Sequence, residues 1–141
     1  MTVTFCGHSE IYYGEDVENR LCNIVEDMII NGADEFLMGG YGNFDKLAAR
    51  VIKELKLKYP HISSMLVIPY LHRKYNLELY DGTIYPPLEN IPYKFAILKR
   101  NQWMVDNSNV LIACVKYSWG GASKTLAYAK RRKKQVINLL E

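Results

Sequence analysis

The chain has 141 residues, 49% of them apolar, a length that fits one domain able to bury roughly two-thirds of its unfolded surface without disulfides or metal. No apolar run approaches the ~18 residues of a membrane span, and MTVTFCGHSE lacks the layout of a signal peptide, so a cytoplasmic protein without membrane contact is expected. The net charge of +3 rests on one run, Lys130 to Lys134; without it 18 basic residues fall to 13 against 15 acidic, and charge gives little reason to expect nucleic acid.

Val3 to Cys6 is a short β-prone run that stops at Gly7 and delivers His8, Ser9 and Glu10 at its carboxyl end. Val17, Leu21, Ile24, Val25, Met28 and Ile29 then fall on one helical stripe, closed by Asn31-Gly32. A second strand, Glu35 to Met38, runs into Gly39, Gly40, Tyr41 and Gly42. Asn43 opens the next helix, which buries Phe44, Leu47, Ala48, Val51, Ile52 and Leu55 and ends before Pro60. Met65 to Ile68 reads as a strand covered on both faces. Tyr70 to Tyr93, with five tyrosines and three prolines, reads as an irregular excursion with one edge strand near Thr83 to Tyr85, covering a ligand mouth or forming a subunit contact. A helix from about Lys94 to Asp106 precedes Val110 to Val115, the strongest strand signal. Trp119, Gly120, Gly121 and Ala122 then form a second glycine corner, followed by a helix from about Ser123 to Lys133 and a last strand, Val136 to Leu139.

Strands alternating with amphipathic helices predict an α/β, Rossmann-like three-layer sandwich with a mostly parallel sheet, in a single domain spanning 1–141. In such sheets ligands sit beyond the carboxyl ends of the strands. Three loops reach that edge: Gly7 to Glu10, Gly39 to Asp45, and Ser118 to Lys124. Two of them are glycine-rich helix starts, where free N–H groups and the helix dipole suit a phosphate. Neither is a GxGxxG fingerprint or a P-loop, and a strand-to-helix connection without ligand fits each one taken alone. Arg100 and Asn101 could add a cation and an amide, or Arg100 could form a surface ion pair.

CGH with Ser9, GGYGNFD, KRNQWMVDNSNVLIACV and GGASKTLAYAK together resemble the SLOG superfamily, which groups DprA/Smf proteins with LOG-type cytokinin-activating proteins; the order is closest to its small bacterial and phage YpsA/YoqJ-like branch. The resemblance implies a Rossmannoid sheet and a pocket for a nucleotide or nucleotide-derived small molecule. Its site residues would fall on Gly7, His8, Ser9, Gly39, Gly40, Tyr41, Gly42, Asn43, Asp45, Arg100, Asn101, Gly120, Gly121, Ala122 and Thr125. LOG-type phosphoribohydrolases carry PGGxGTxxE at the late turn. This chain has WGGASKT, with no glutamate in the first turn that follows.

Chemistry beyond binding has few candidates. His8, His61 and His72 are scattered, and Cys6, Cys22 and Cys114 show no CxxC spacing, so neither metal, cofactor nor disulfide is expected. A Cys6–His8 nucleophilic pair is disfavoured, because Cys6 reads as core. Glu10 and Asp45 could act as acid and base on a ribosyl substrate; alternatively Asp45 caps its helix and Glu10 is solvated. The leading expectation is a binding or sensing module for a nucleotide-like ligand, with no catalytic residue. The alternative is an enzyme cleaving or transferring at a nucleotide N-glycosidic bond. The Tyr/Pro-rich segment suggests a homo-oligomer.

Overall fold

Short apolar runs become strands and amphipathic stretches become helices in the computed structural model, which describes residues 1–140. The order is β1 Thr2–Gly7, α1 Glu15–Ile30, β2 Glu35–Met38, α2 Asn43–Lys58, β3 Ser63–Val67 and β4 Gly82–Ile84. A 3-10 turn at Tyr93–Phe95 follows, then α3 Ala96–Asp106, β5 Val110–Cys114, α4 Gly121–Arg131 and β6 Gln135–Asn138. The sheet is wholly parallel, ordered β4-β3-β2-β1-β5-β6, the α/β Rossmann-like arrangement that the periodicity predicts. Chain order runs outward from β1 to β4 on one side and from β5 to β6 on the other. Strand order therefore reverses between β1 and β5, and a crevice opens at their carboxyl ends.

Successive strand residues point to opposite faces, so each strand feeds two cores. Val3, Phe5, Phe36, Met38, Val110 and Ile112 pack with Leu21 and Val25 of α1 and with Phe44 and Ile52 of α2. On the other face, Cys6, Leu111 and Ala113 meet Val105 of α3 and Leu126 of α4, while Leu37 and Val67 meet Met104 of α3. Among the described residues no helix is long and apolar enough to cross a membrane.

The helix ends explain two stretches of sequence. α1 closes at Asn31-Gly32, where the Gly32 N–H donates to the Ile29 carbonyl at 3.1 Å and the Ala33 N–H to that of Met28 at 2.9 Å. α4 closes by the same pattern, but the residue in the left-handed region is Lys133, at φ 57°. The basic run is a seam as well as a solvated end: Arg132 Nε meets Asp106 Oδ1 at 3.0 Å, and the Tyr128 hydroxyl donates to Asp106 Oδ2 at 2.8 Å.

The Tyr/Pro-rich excursion contributes the edge strand β4, is tied to α2 where Lys53 Nζ donates to the Glu78 carbonyl and Lys56 Nζ to Asp81 Oδ1, and braces its own rings. The Tyr70 and Tyr93 rings stack at 4.2 Å, the Arg73 guanidinium lies 4.2 Å above Tyr70, and the Tyr75 hydroxyl donates to the Tyr70 carbonyl at 3.0 Å.

Candidate functional site at the carboxyl ends of β1 and β5

A cavity of about 410 Å³ occupies the crevice where strand order reverses. The loop after β1 supplies Gly7, His8, Ser9 and Glu10. The β2–α2 corner supplies Tyr41 and Asp45, α3 supplies Arg100 and Asn101, and the β5–α4 corner supplies Gly120, Gly121, Ala122 and Thr125. Sequence-predicted residues from all these segments thus converge on one cavity. Gly39, Gly40, Gly42 and Asn43 do not line it, nor does any residue of the Tyr70–Tyr93 excursion.

The two glycine corners differ in kind. The early one is filled by protein: a Cβ on Gly40 would stand 2.5 Å from Leu66 Cδ1, and one on Gly42 would stand 2.4 Å from Ser9 Cα. These glycines let the chain pass its neighbours, and the Asn43 N–H donates to the Ser9 carbonyl at 2.9 Å. The Asn43 side chain in turn donates to the Ile11 carbonyl at 3.2 Å, so Asn43 braces the loop after β1. The late corner is open. Nothing lies within 4 Å of a Cβ on Gly120 or Gly121, the first turn of α4 carries no acidic residue, and no side chain caps it. Its free N–H groups face the cavity rim with the positive end of the dipole behind them.

Asp45 does not cap α2. Its Oδ2 accepts from the Tyr41 N–H at 2.9 Å, closing the glycine turn on itself, because the α2 N-terminus is already met by Ser9. The carboxyl is half-buried by area yet enclosed by protein, since what surface it has faces the cavity. That enclosure pushes its pKa up to about 6; the Tyr41 N–H and the nearby Arg100 charge pull it partway back. Glu10 lines the same cavity but is exposed.

Arg100 is 3% exposed, not a surface ion-pair residue. Its Nη1 donates to the carbonyls of Gly39 at 3.0 Å and Val67 at 2.8 Å, and its Nε to Asn101 Oδ1 at 2.8 Å. Burial lowers its pKa, while Asp45 favours the charged form. Nη2 has no partner among the described residues, although it belongs to a residue that lines the cavity.

His8 is a strut. Its Nε2 accepts from the backbone N–H groups of Lys116 at 2.9 Å and Tyr117 at 3.1 Å, which places the ring proton on Nδ1 and ties the loop after β1 to the loop after β5. Burial shifts its pKa downward, favouring this neutral form. The Cys6–His8 pair does not form: burial raises the Cys6 thiol far above its ordinary range, and its nearest partner is the Ala122 carbonyl, 3.7 Å away.

Sequence reasoning missed the aromatic wall. Tyr117 and Trp119 stack at 4.7 Å with 21° between planes, and Trp119 is 67% exposed at the cavity rim. The available signal was two aromatics placed directly before a glycine corner. It also missed Ile97 and Met104, which flank Arg100 on one helical face of α3 and whose i, i+3, i+7 spacing could have revealed them.

No protein-family model matches the chain. In sequence it is 25% identical to the uncharacterized SPbeta prophage-derived protein YoqJ of Bacillus subtilis (strain 168), over 82% of this chain and 81% of that one. Its fold matches DNA processing protein A from Helicobacter pylori, a single-stranded DNA binder, with a TM-score of 0.67 and 17% identity, over 96% of this chain and 63% of that one. It also matches the molybdenum cofactor carrier protein of Chlamydomonas reinhardtii, with a TM-score of 0.62 and 17% identity, over 96% and 74% of the two chains. The chain is thus similar to YoqJ in sequence and shares with these solved structures an α/β Rossmann-like fold, the fold that its motifs implied.

Proposed function

We propose that the chain binds a nucleotide or nucleotide-derived small molecule in this cavity and releases it unchanged. The observation that carries the reading is that three unlike walls meet in one cavity: the open α4 N-terminus, the Tyr117–Trp119 stack, and a floor holding Asp45 and Arg100. A phosphate suits the N–H groups at Gly121 and Ala122, and a base suits the face of Trp119. A volume of about 410 Å³ lies toward the small end of small-molecule sites and fits a mononucleotide better than a dinucleotide. Fold neighbours that carry a molybdenum cofactor or bind single-stranded DNA support a ligand-holding role. The late turn supports binding without turnover, since the first turn of α4 carries no acidic residue.

A second reading has its own support. Asp45, with a pKa near 6 and facing the same cavity as Glu10, could hold or donate a proton in cleavage at an N-glycosidic bond. One experiment separates the two. Thermal shifts are measured against mononucleotides, NAD and ADP-ribose, where a ligand at 100 times its Kd adds about 2.7 kcal/mol. Each stabilising compound is then incubated with the protein and analysed by chromatography. Recovery of intact ligand is expected. Release of free base that stops in Asp45→Asn, with binding retained, would establish the enzyme, and no shift with any compound would refute the nucleotide site.

A further inference from the structure

Asp45 and Arg100 approach Gly39 together: a Cβ there would stand 3.2 Å from Asp45 Oδ2 and 3.6 Å from Arg100 Cζ. Each spends part of its bonding capacity on the backbone and leaves the rest open. Asp45 Oδ2 takes the Tyr41 N–H while Oδ1 has no partner among the described residues; Arg100 uses Nε and Nη1 while Nη2 has none among them. Neither open atom is sealed in the interior, since among the described residues Ser64 Oγ is the buried side-chain atom left unsatisfied. Both residues line the cavity, so a ligand there is placed to meet the atoms they leave open.

The pair is selective by sign. A phosphate drawn to Nη2 would meet the Asp45 carboxylate, so the floor is a poor anion site, and the anion is left to the α4 corner. An acceptor-only oxygen beside a donor-only nitrogen is matched by a group that donates and accepts at neighbouring atoms. Vicinal hydroxyls do both. With a base on Trp119 and a phosphate at Gly120–Gly121, the sugar that joins them would lie between the two, in the cavity that Asp45 and Arg100 line. We propose that Asp45 Oδ1 and Arg100 Nη2 read the 2′,3′-hydroxyls of the ligand's sugar, making this a site for ribonucleotides over 2′-deoxyribonucleotides. Asp45 accepts from one hydroxyl, and Arg100 donates to it or to its neighbour.

This inference rests on the nucleotide reading above, and its test is built to fail separately. Calorimetry on the whole chain compares matched pairs, AMP with dAMP, GMP with dGMP and UMP with dUMP, and adds the 3′-deoxy form of whichever binds best. The expected result is a roughly tenfold or greater loss on removing the 2′-hydroxyl, as for a buried polar group left without its partner. In Asp45→Asn, with folding checked by circular dichroism, the ribo-to-deoxy ratio is expected to fall several-fold, because the amide oxygen stays with the Tyr41 N–H and the atom left for the hydroxyl no longer accepts. Equal affinity for ribo and deoxy forms in the unmodified protein would overturn the sugar reading and leave the nucleotide site standing. A ratio unchanged in Asp45→Asn would remove Asp45 from it, and no binding by any nucleotide would overturn both readings.

Discussion

Replacing Asp45 by Asn should stabilise the protein at neutral pH. The folded state raises this carboxyl from 3.8 to about 6, chiefly by enclosing it, so at pH 7 the native fold holds an ionised group that water would solvate better. At 1.36 kcal/mol per unit that difference is about 3 kcal/mol, and water in the cavity screens it to an expected 1–3 kcal/mol. The amide keeps an oxygen for the Tyr41 N–H, so the turn closure survives. The sign follows from linkage. Between about pH 4 and 6 the native state binds more protons than the unfolded chain, and stability contributed by this group falls as pH rises through that window. Urea unfolding across pH 3.5–7.5 should show Asp45→Asn more stable than the parent above pH 6, with the gap closing toward zero near pH 4. For a chain of this size the gain at pH 7 corresponds to roughly 3–10 °C in Tm. A variant less stable at pH 7, or a gap that ignores pH, would show that the Tyr41 N–H and Arg100 outweigh the enclosure and that the carboxylate is structural.

The two glycine corners should respond differently to valine. Gly121→Val meets open space, so Tm should stay within about 2 °C while nucleotide affinity falls at least tenfold; Gly40→Val, at φ 68° and against Leu66, should cost roughly 2–4 kcal/mol in urea unfolding. Removing the His8 acceptor by His8→Phe should speed amide exchange at Lys116 and Tyr117 about fivefold, as loss of a bond of ~1 kcal/mol implies, and acidification below the ordinary histidine range should do the same in the parent. Lys133→Gly relieves the left-handed backbone at the end of α4 and should add about 1 kcal/mol. The exposed side chains around the excursion, among them Leu71, Leu77, Tyr93 and Phe95, suit self-association; sedimentation at micromolar concentration should show a dimer or larger, and a clean monomer would end that idea.

What the sequence made legible is what depends on near neighbours. The α1 stripe from Val17 to Ile29, its Asn31-Gly32 closure and the uninterrupted β5 run all follow from spacing of a few residues, and they appear as expected. Convergence of the three loops followed from chain order together with the rule on parallel sheets. The division of labour inside the cavity was hidden because it is decided at long range. Gly40 and Gly120 look alike in sequence, and only Leu66 beside one and empty space beside the other tells packing from an open corner. In the same way His8 is a strut because of backbone N–H groups at Lys116 and Tyr117, and Arg100 is buried because two carbonyls on separate loops, Gly39 and Val67, accept from it.

The junction of β1 with β5 also sets a schedule. During synthesis from the N-terminus, β1, β2 and β3 can pair as they emerge, but one wall of the cavity, and the N–H groups that hold His8, are encoded after residue 115. The half-sheet made first has β1 as an uncovered apolar edge, and it stays so until β5 arrives more than a hundred residues after β1 began. A ligand held between these loops would bridge the early and late halves of the chain. Its grip would therefore act as a clamp against the parting of that one seam, which amide exchange along β1 and β5 would register before any other strand.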